Sequence, residues 1–146
     1  MVHQQSTGDV LRQSECLRLS SVMPTPRSKL GATGEVVARH YLESKGHIWI
    51  ESNWHCSSGE IDLVMREGTE LVFVEVKTRR GEAAGRAEEG VSANKSRRLL
   101  ATGSWYLSSH PELGDPIWRI DLIAITLDRS GRVERVTHIP NAVVSG

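Results

Sequence analysis

Leu71-Val72-Phe73-Val74-Glu75-Val76-Lys77 is a run of strand-forming residues that ends with a carboxylate and an ammonium two positions apart. Just upstream, Gly59-Glu60-Ile61-Asp62-Leu63-Val64 embeds a second carboxylate in a segment of the same kind. Charge in such a setting is costly unless it is paired or bound to a metal. An Asp followed about a dozen residues later by Glu-x-Lys is the spacing that a metal-dependent phosphodiesterase site needs.

Working outward, the spacing of Leu30, Gly34, Val37, Ala38, Tyr41 and Leu42 predicts a helix over residues 29–45, with Gly46 as its stop. Strands are expected over 48–54, 61–65 and 70–77. A turn-rich link over 55–59 joins the first two, and a hairpin turn over 67–69 joins the last two. Residues 78–91 read as a loop. Ser92-Ala93-Asn94-Lys95 opens a second helix that His110-Pro111 ends. Strands over 117–127 and 133–139 complete the order α, three strands, α, two strands, with one βαβ crossover. Residues 1–27 are polar and Ser-rich and read as a poorly ordered extension, leaving 28–146 as one domain. The fold class is therefore α/β.

Alternation along a strand puts residues i and i+2 on one face, about 7 Å apart. Glu75 and Lys77 then share a face with Phe73, while Val74 and Val76 face the opposite layer. By the same rule Glu60, Asp62 and Val64 share one face, and Ile61 and Leu63 the other. Pairing through the turn at Gly68 brings Asp62 beside Glu75. Two clustered carboxylates repel, and a divalent cation relieves them. Asp62 and Glu75 fit as oxygen ligands of Mg²⁺ (or Mn²⁺), with Glu35 of the first helix completing the acidic set and Glu60 peripheral to it. Lys77 fits as the residue that orients a water or stabilises charge on phosphorus.

The 146 residues carry 18 basic and 18 acidic side chains, so net charge argues mildly against a nucleic-acid binder. Its distribution argues the other way: residues 76–100 hold seven basic and three acidic side chains, directly after the Glu-x-Lys strand. Arg79, Arg80, Lys95, Arg97 and Arg98 are the expected phosphate contacts. A solvated helical face is the alternative for the last three. Cys16 and Cys56 form neither a disulfide framework nor a CxxC site, no stretch is long enough to span a membrane, and the expected location is the cytoplasm.

Gly34-Glu35, Asn53, Gly59-Glu60-Ile61-Asp62, Glu75-Val76-Lys77, Lys95, Arg119-Ile120-Asp121 and Asn141-Ala142, in this order, resemble the YraN family of bacterial proteins. That family looks like a branch of the restriction-endonuclease-like, PD-(D/E)xK superfamily, close to Holliday-junction resolvases. The proline of that motif is absent here, since Ile61 precedes Asp62. The resemblance covers residues 29–143. It implies a central mixed sheet of about five strands flanked by helices and a Mg²⁺ site. The leading expectation is an endonuclease-like protein acting on DNA, with branched or damaged DNA as the substrate class. Resolvase-like enzymes often work as two-fold dimers, which leaves a homodimer open. The competing expectations are a catalytically silent nucleic-acid-binding module of the same fold and a protein-interaction scaffold. Arg119 and Asp121, two apart on one strand, are expected to pair with each other.

Overall fold

A computed structural model of the chain describes residues 26–81 and 90–143. The elements are α1 (Pro26–Ser44), β1 (Ile48–Cys56), β2 (Gly59–Glu67), β3 (Glu70–Arg80), α2 (Ala93–Ser109), a short 3-10 turn (Pro111–Leu113), β4 (Trp118–Leu127) and β5 (Val133–Ile139). They follow the expected order. The expected extension over 1–27 lies outside the described residues except for Pro26 and Arg27, which already belong to α1. The expected loop over 78–91 is corrected at its start: β3 continues through Arg80, because β4 stays alongside it as far as Leu127. Its central part, 82–89, lies outside the described residues.

The five strands form one sheet in the order β1-β2-β3-β4-β5. Only β3 and β4 run parallel, joined by the α2 crossover; the other neighbours are antiparallel. No helix among the described residues is long and apolar enough to cross a membrane. This is the α/β, restriction-endonuclease-like arrangement of a mixed sheet between helices.

Each face of the sheet carries its own core. Ala38 and Leu42 of α1 pack on Leu63, Met65, Val72, Val74, Ile123, Ile125 and Leu127. Leu99 and Tyr106 of α2 pack on Ile61, Val64, Leu71, Phe73 and Ile120. Burial of these side chains, at ~25 cal/mol per Å² of apolar surface, holds the layers together. Both helices approach through a glycine. A Cβ on Gly34 would lie 2.0 Å from Thr78 Oγ1, and one on Gly103 would lie 2.7 Å from the Trp118 ring.

The face assignment along β3 holds: Phe73 lies in the α2 core, and Val72 and Val74 in the α1 core. Along β2 it is corrected. Ile61 packs with Val64 in the α2 core, whereas Leu63 packs in the α1 core. The cause is a break in pairing beside Asp62. The β2–β3 ladder ends at Leu63↔Val74, and on the other side Asn53, between the pairs Ser52↔Leu63 and Trp54↔Ile61, has a left-handed backbone (φ 55°). Asn tolerates that region better than most residues with a side chain.

Candidate functional site

The divergence of β2 from β3 is what makes room for the acidic cluster. Beyond the last ladder pair, Val76 N–H donates to Asp62 Oδ2 at 2.8 Å, so the carboxylate stands where a main-chain acceptor would continue the sheet. Glu35 reaches the same place from α1. Its position follows from Gly34, whose missing side chain lets the helix close onto Val76 and Thr78 of β3. Ligand oxygens of Glu35, Glu60 and Asp62 all lie within 4.8 Å of one another. Glu60 was expected at the periphery and instead belongs to this trio. Glu75 lies outside that grouping but within electrostatic reach of both Glu35 and Asp62.

The electrostatics are those of negative charge packed without enough compensation. Burial pushes the Glu35 carboxyl up to about 7; a hydrogen bond from the Asn53 side chain opposes this, and Glu60 and Glu75 add to it. Burial pushes Asp62 up to about 8, helped by Glu75 and opposed by the Val76 N–H bond. No Lys or Arg ion-pairs with Glu35 or Asp62 among the described residues. A set of carboxylate oxygens that close could ligate a hard cation through oxygen.

The expected cations are distributed unevenly. Lys95 Nζ lies 3.1 Å from Glu75 Oε1, so α2 does supply a side chain to this region. Lys77 shares the Glu75 face, but its Nζ donates to Gly90 O at 3.3 Å rather than to Glu75. Arg79 is exposed and follows Glu75 and Lys77 by strand alternation. Arg80 points elsewhere, with its guanidinium against Gly131 in the β4–β5 turn. Arg97 and Arg98 are exposed on the first turns of α2, and Arg97 hydrogen-bonds to the Asn94 side chain.

Two features of the site were not assigned from the sequence: the membership of Glu60 and the role of Asn53. The signal for Asn53 was an amide inside an aromatic, β-branched strand, a residue type favoured where backbone must turn left-handed. Arg119 and Asp121 do pair, as expected, with Arg119 Nε donating to Asp121 Oδ1 at 3.0 Å.

A sequence model of the family described as "Uncharacterised protein family UPF0102" matches residues 34–125, a span that holds Glu35, Glu60, Asp62, Glu75, Lys77 and Lys95. A UPF0102 protein of Chloroflexus aurantiacus is 46% identical over 121 residues, covering 83% of this chain and 98% of the relative. One from Pelotomaculum thermopropionicum is 42% identical over 120 residues, covering 82% and 99%. One from Roseiflexus castenholzii is 39% identical over 117 residues, covering 80% and 94%.

Proposed function

The chain belongs to the UPF0102 family, the YraN family of the sequence resemblance, and from its acidic cluster we propose that it is a Mg²⁺- or Mn²⁺-dependent nuclease acting on DNA. The observation that carries this reading is the convergence of Glu35, Glu60 and Asp62 from two elements, beside Glu75, with the Glu35 and Asp62 carboxyls raised towards neutral pH by burial and further by neighbouring negative charge. Asp62 and Glu35 would hold the cation together with Glu60, whose oxygens already converge, and Glu75, which lies outside that grouping, would complete the set on binding. When bound, the cation polarises a scissile phosphate and lowers the pKa of a water. The chain's own residues do the rest. Lys77 sits on the Glu75 face, where its ammonium can orient a water or offset charge on phosphorus once it leaves Gly90 O. Arg79, Arg97 and Arg98 are exposed and can meet the phosphate backbone, Arg97 by giving up its bond to Asn94; such contacts position a substrate without reading its sequence. Branched or damaged DNA is the substrate class the family resemblance favours.

The same geometry supports a second reading, a nucleic-acid-binding module without turnover, because both central ammonium groups are already engaged, Lys77 with Gly90 and Lys95 with Glu75. A cleavage panel separates the two: four-way junction, flap, single strand and duplex, each with Mg²⁺ or Mn²⁺, for wild type and Glu75→Ala side by side. The nuclease reading expects cleavage of at least one substrate, reduced by roughly 100-fold or more in Glu75→Ala. Salt-dependent binding with no cleavage of any substrate sinks it and leaves the binding module.

A further inference from the structure

Resting on the divalent-cation reading above, we propose that Lys95 is a built-in counter-ion for Glu75, a positioning residue whose ammonium gives way when a cation enters. Three observations converge on it. The N-terminus of α2 is capped: Ser92 Oγ accepts from Lys95 N at 3.2 Å, and Ser92 O accepts from Ser96 N at 2.8 Å, so the backbone of Lys95 is fixed. From that fixed point its Nζ lies 3.1 Å from Glu75 Oε1. The ammonium nearer in sequence, Lys77, is turned away to Gly90 O. Lys95 therefore bridges α2 to β3 at the acidic cluster.

The two partners differ in a way that suits exchange. The Glu75 side chain is 14% exposed and held by its strand, whereas that of Lys95 is 46% exposed on a long flexible stem. A pair half open to water is weak, so giving it up would lower cation affinity by no more than about fivefold. A displaced Lys95 stays at the N-terminus of α2 beside Arg97 and Arg98, where a phosphate oxygen is its next partner. Cation and substrate would then load in one exchange of charge: the cation takes Glu75, and the substrate takes Lys95.

Calorimetric titration of Mn²⁺ alone into wild type and Lys95→Met tests the exchange. Removing the competitor is expected to tighten Mn²⁺ binding roughly two- to fivefold. A purely structural Lys95 would leave affinity unchanged or weaken it, and either result overturns the displacement. Melting in EDTA tests the pairing by itself. Lys95→Met should lower the melting temperature of wild type but not that of Glu75→Gln; an equal drop in both backgrounds overturns the counter-ion. Absence of Mn²⁺ binding by wild type defeats the proposed function and the displacement together. Binding that Lys95→Met leaves unchanged defeats only the displacement.

Discussion

Asp62 and Asp121 are both carboxylates withdrawn from water in the same sheet, and their surroundings push them in opposite directions. Asp121 is fully buried, yet its pKa is held below the usual value. Burial alone would raise it, but hydrogen bonds from His138 Nε2 (2.7 Å), Arg119 Nε (3.0 Å) and Asn141 N–H (2.9 Å) prevail. Arg119 is tied in turn to Glu67 at 2.8 Å and to Glu70, the pair that flanks the β2–β3 turn. Asp62, at the open end of that hairpin, has one main-chain donor and carboxylates for neighbours. A buried charge surrounded by donors is compensated within the scaffold; a buried charge beside like charge is left uncompensated, which is the contrast the proposed function starts from.

The largest break in this comparison comes from the scaffold end. Asp121→Ala strips Arg119, His138 and the Asn141 N–H of a common acceptor, and should destabilise the fold by about 3 kcal/mol or more. Arg119 keeps Glu67 and Glu70, which holds the loss towards the lower end of the range for buried pairs. Urea unfolding measures it, and a change under about 1 kcal/mol would remove the distinction between the two aspartates. The network extends to His47, whose Nε2 lies 2.8 Å from Glu67 Oε2 while its buried Nδ1 has no partner among the described residues.

An intermediate effect is expected from the helix that delivers Glu35. In Gly34→Ala the new methyl would meet Thr78 Oγ1, a buried hydroxyl with no hydrogen-bond partner among the described residues, so Thr78 must turn or α1 must lift from β3. Overpacking of this kind costs about 1–3 kcal/mol. Combining it with Thr78→Ala removes the obstructing oxygen and should recover part of the loss in thermal melts. If the double variant is no better than Gly34→Ala alone, close approach is not what Gly34 provides.

Much of this was legible in the sequence because the apolar pattern and the charges interrupting it report different things. Strand alternation placed Glu75 with Phe73, and the turn at Gly68 set the hairpin that directs Asp62 towards β3. Period-2 reasoning failed where regular pairing fails. The Asn53 kink and the end of the ladder at Leu63 put Ile61 and Val64 in one layer, and the same irregularity carries Glu60 into the cluster. Lys77 was assigned from spacing, strand face and the family motif, none of which can foresee that a main-chain oxygen at Gly90 takes its ammonium. Arg80 lies one residue past Arg79 and so on the other strand face, which is why it turns to Gly131.

The most discriminating effect is one of pH, because its sign differs between the two ends of the hairpin. Asp62 and Glu35 have folded pKa values above their unfolded ones, so the folded state holds extra protons between about pH 4 and pH 8. Stability without cation therefore falls as pH rises through that window, and the full penalty stands above about pH 8. Asp121 has a lowered folded pKa, so its contribution is lost only as pH falls below the ordinary aspartate range. His47 is also lowered, mainly by burial, and works against the cluster's slope below its ordinary value of 6.5. That term cancels in the difference between wild type and Asp62→Asn. Asparagine can still accept from Val76 N–H, so this variant should match wild type to within about 1 kcal/mol at about pH 4 and become the more stable of the two at pH 8.5 in EDTA. Saturating Mn²⁺ should erase that advantage, since only the carboxylate gains from the cation. An Asp62→Asn variant less stable than wild type at pH 8.5 in EDTA would mean that Asp62, like Asp121, belongs to the scaffold.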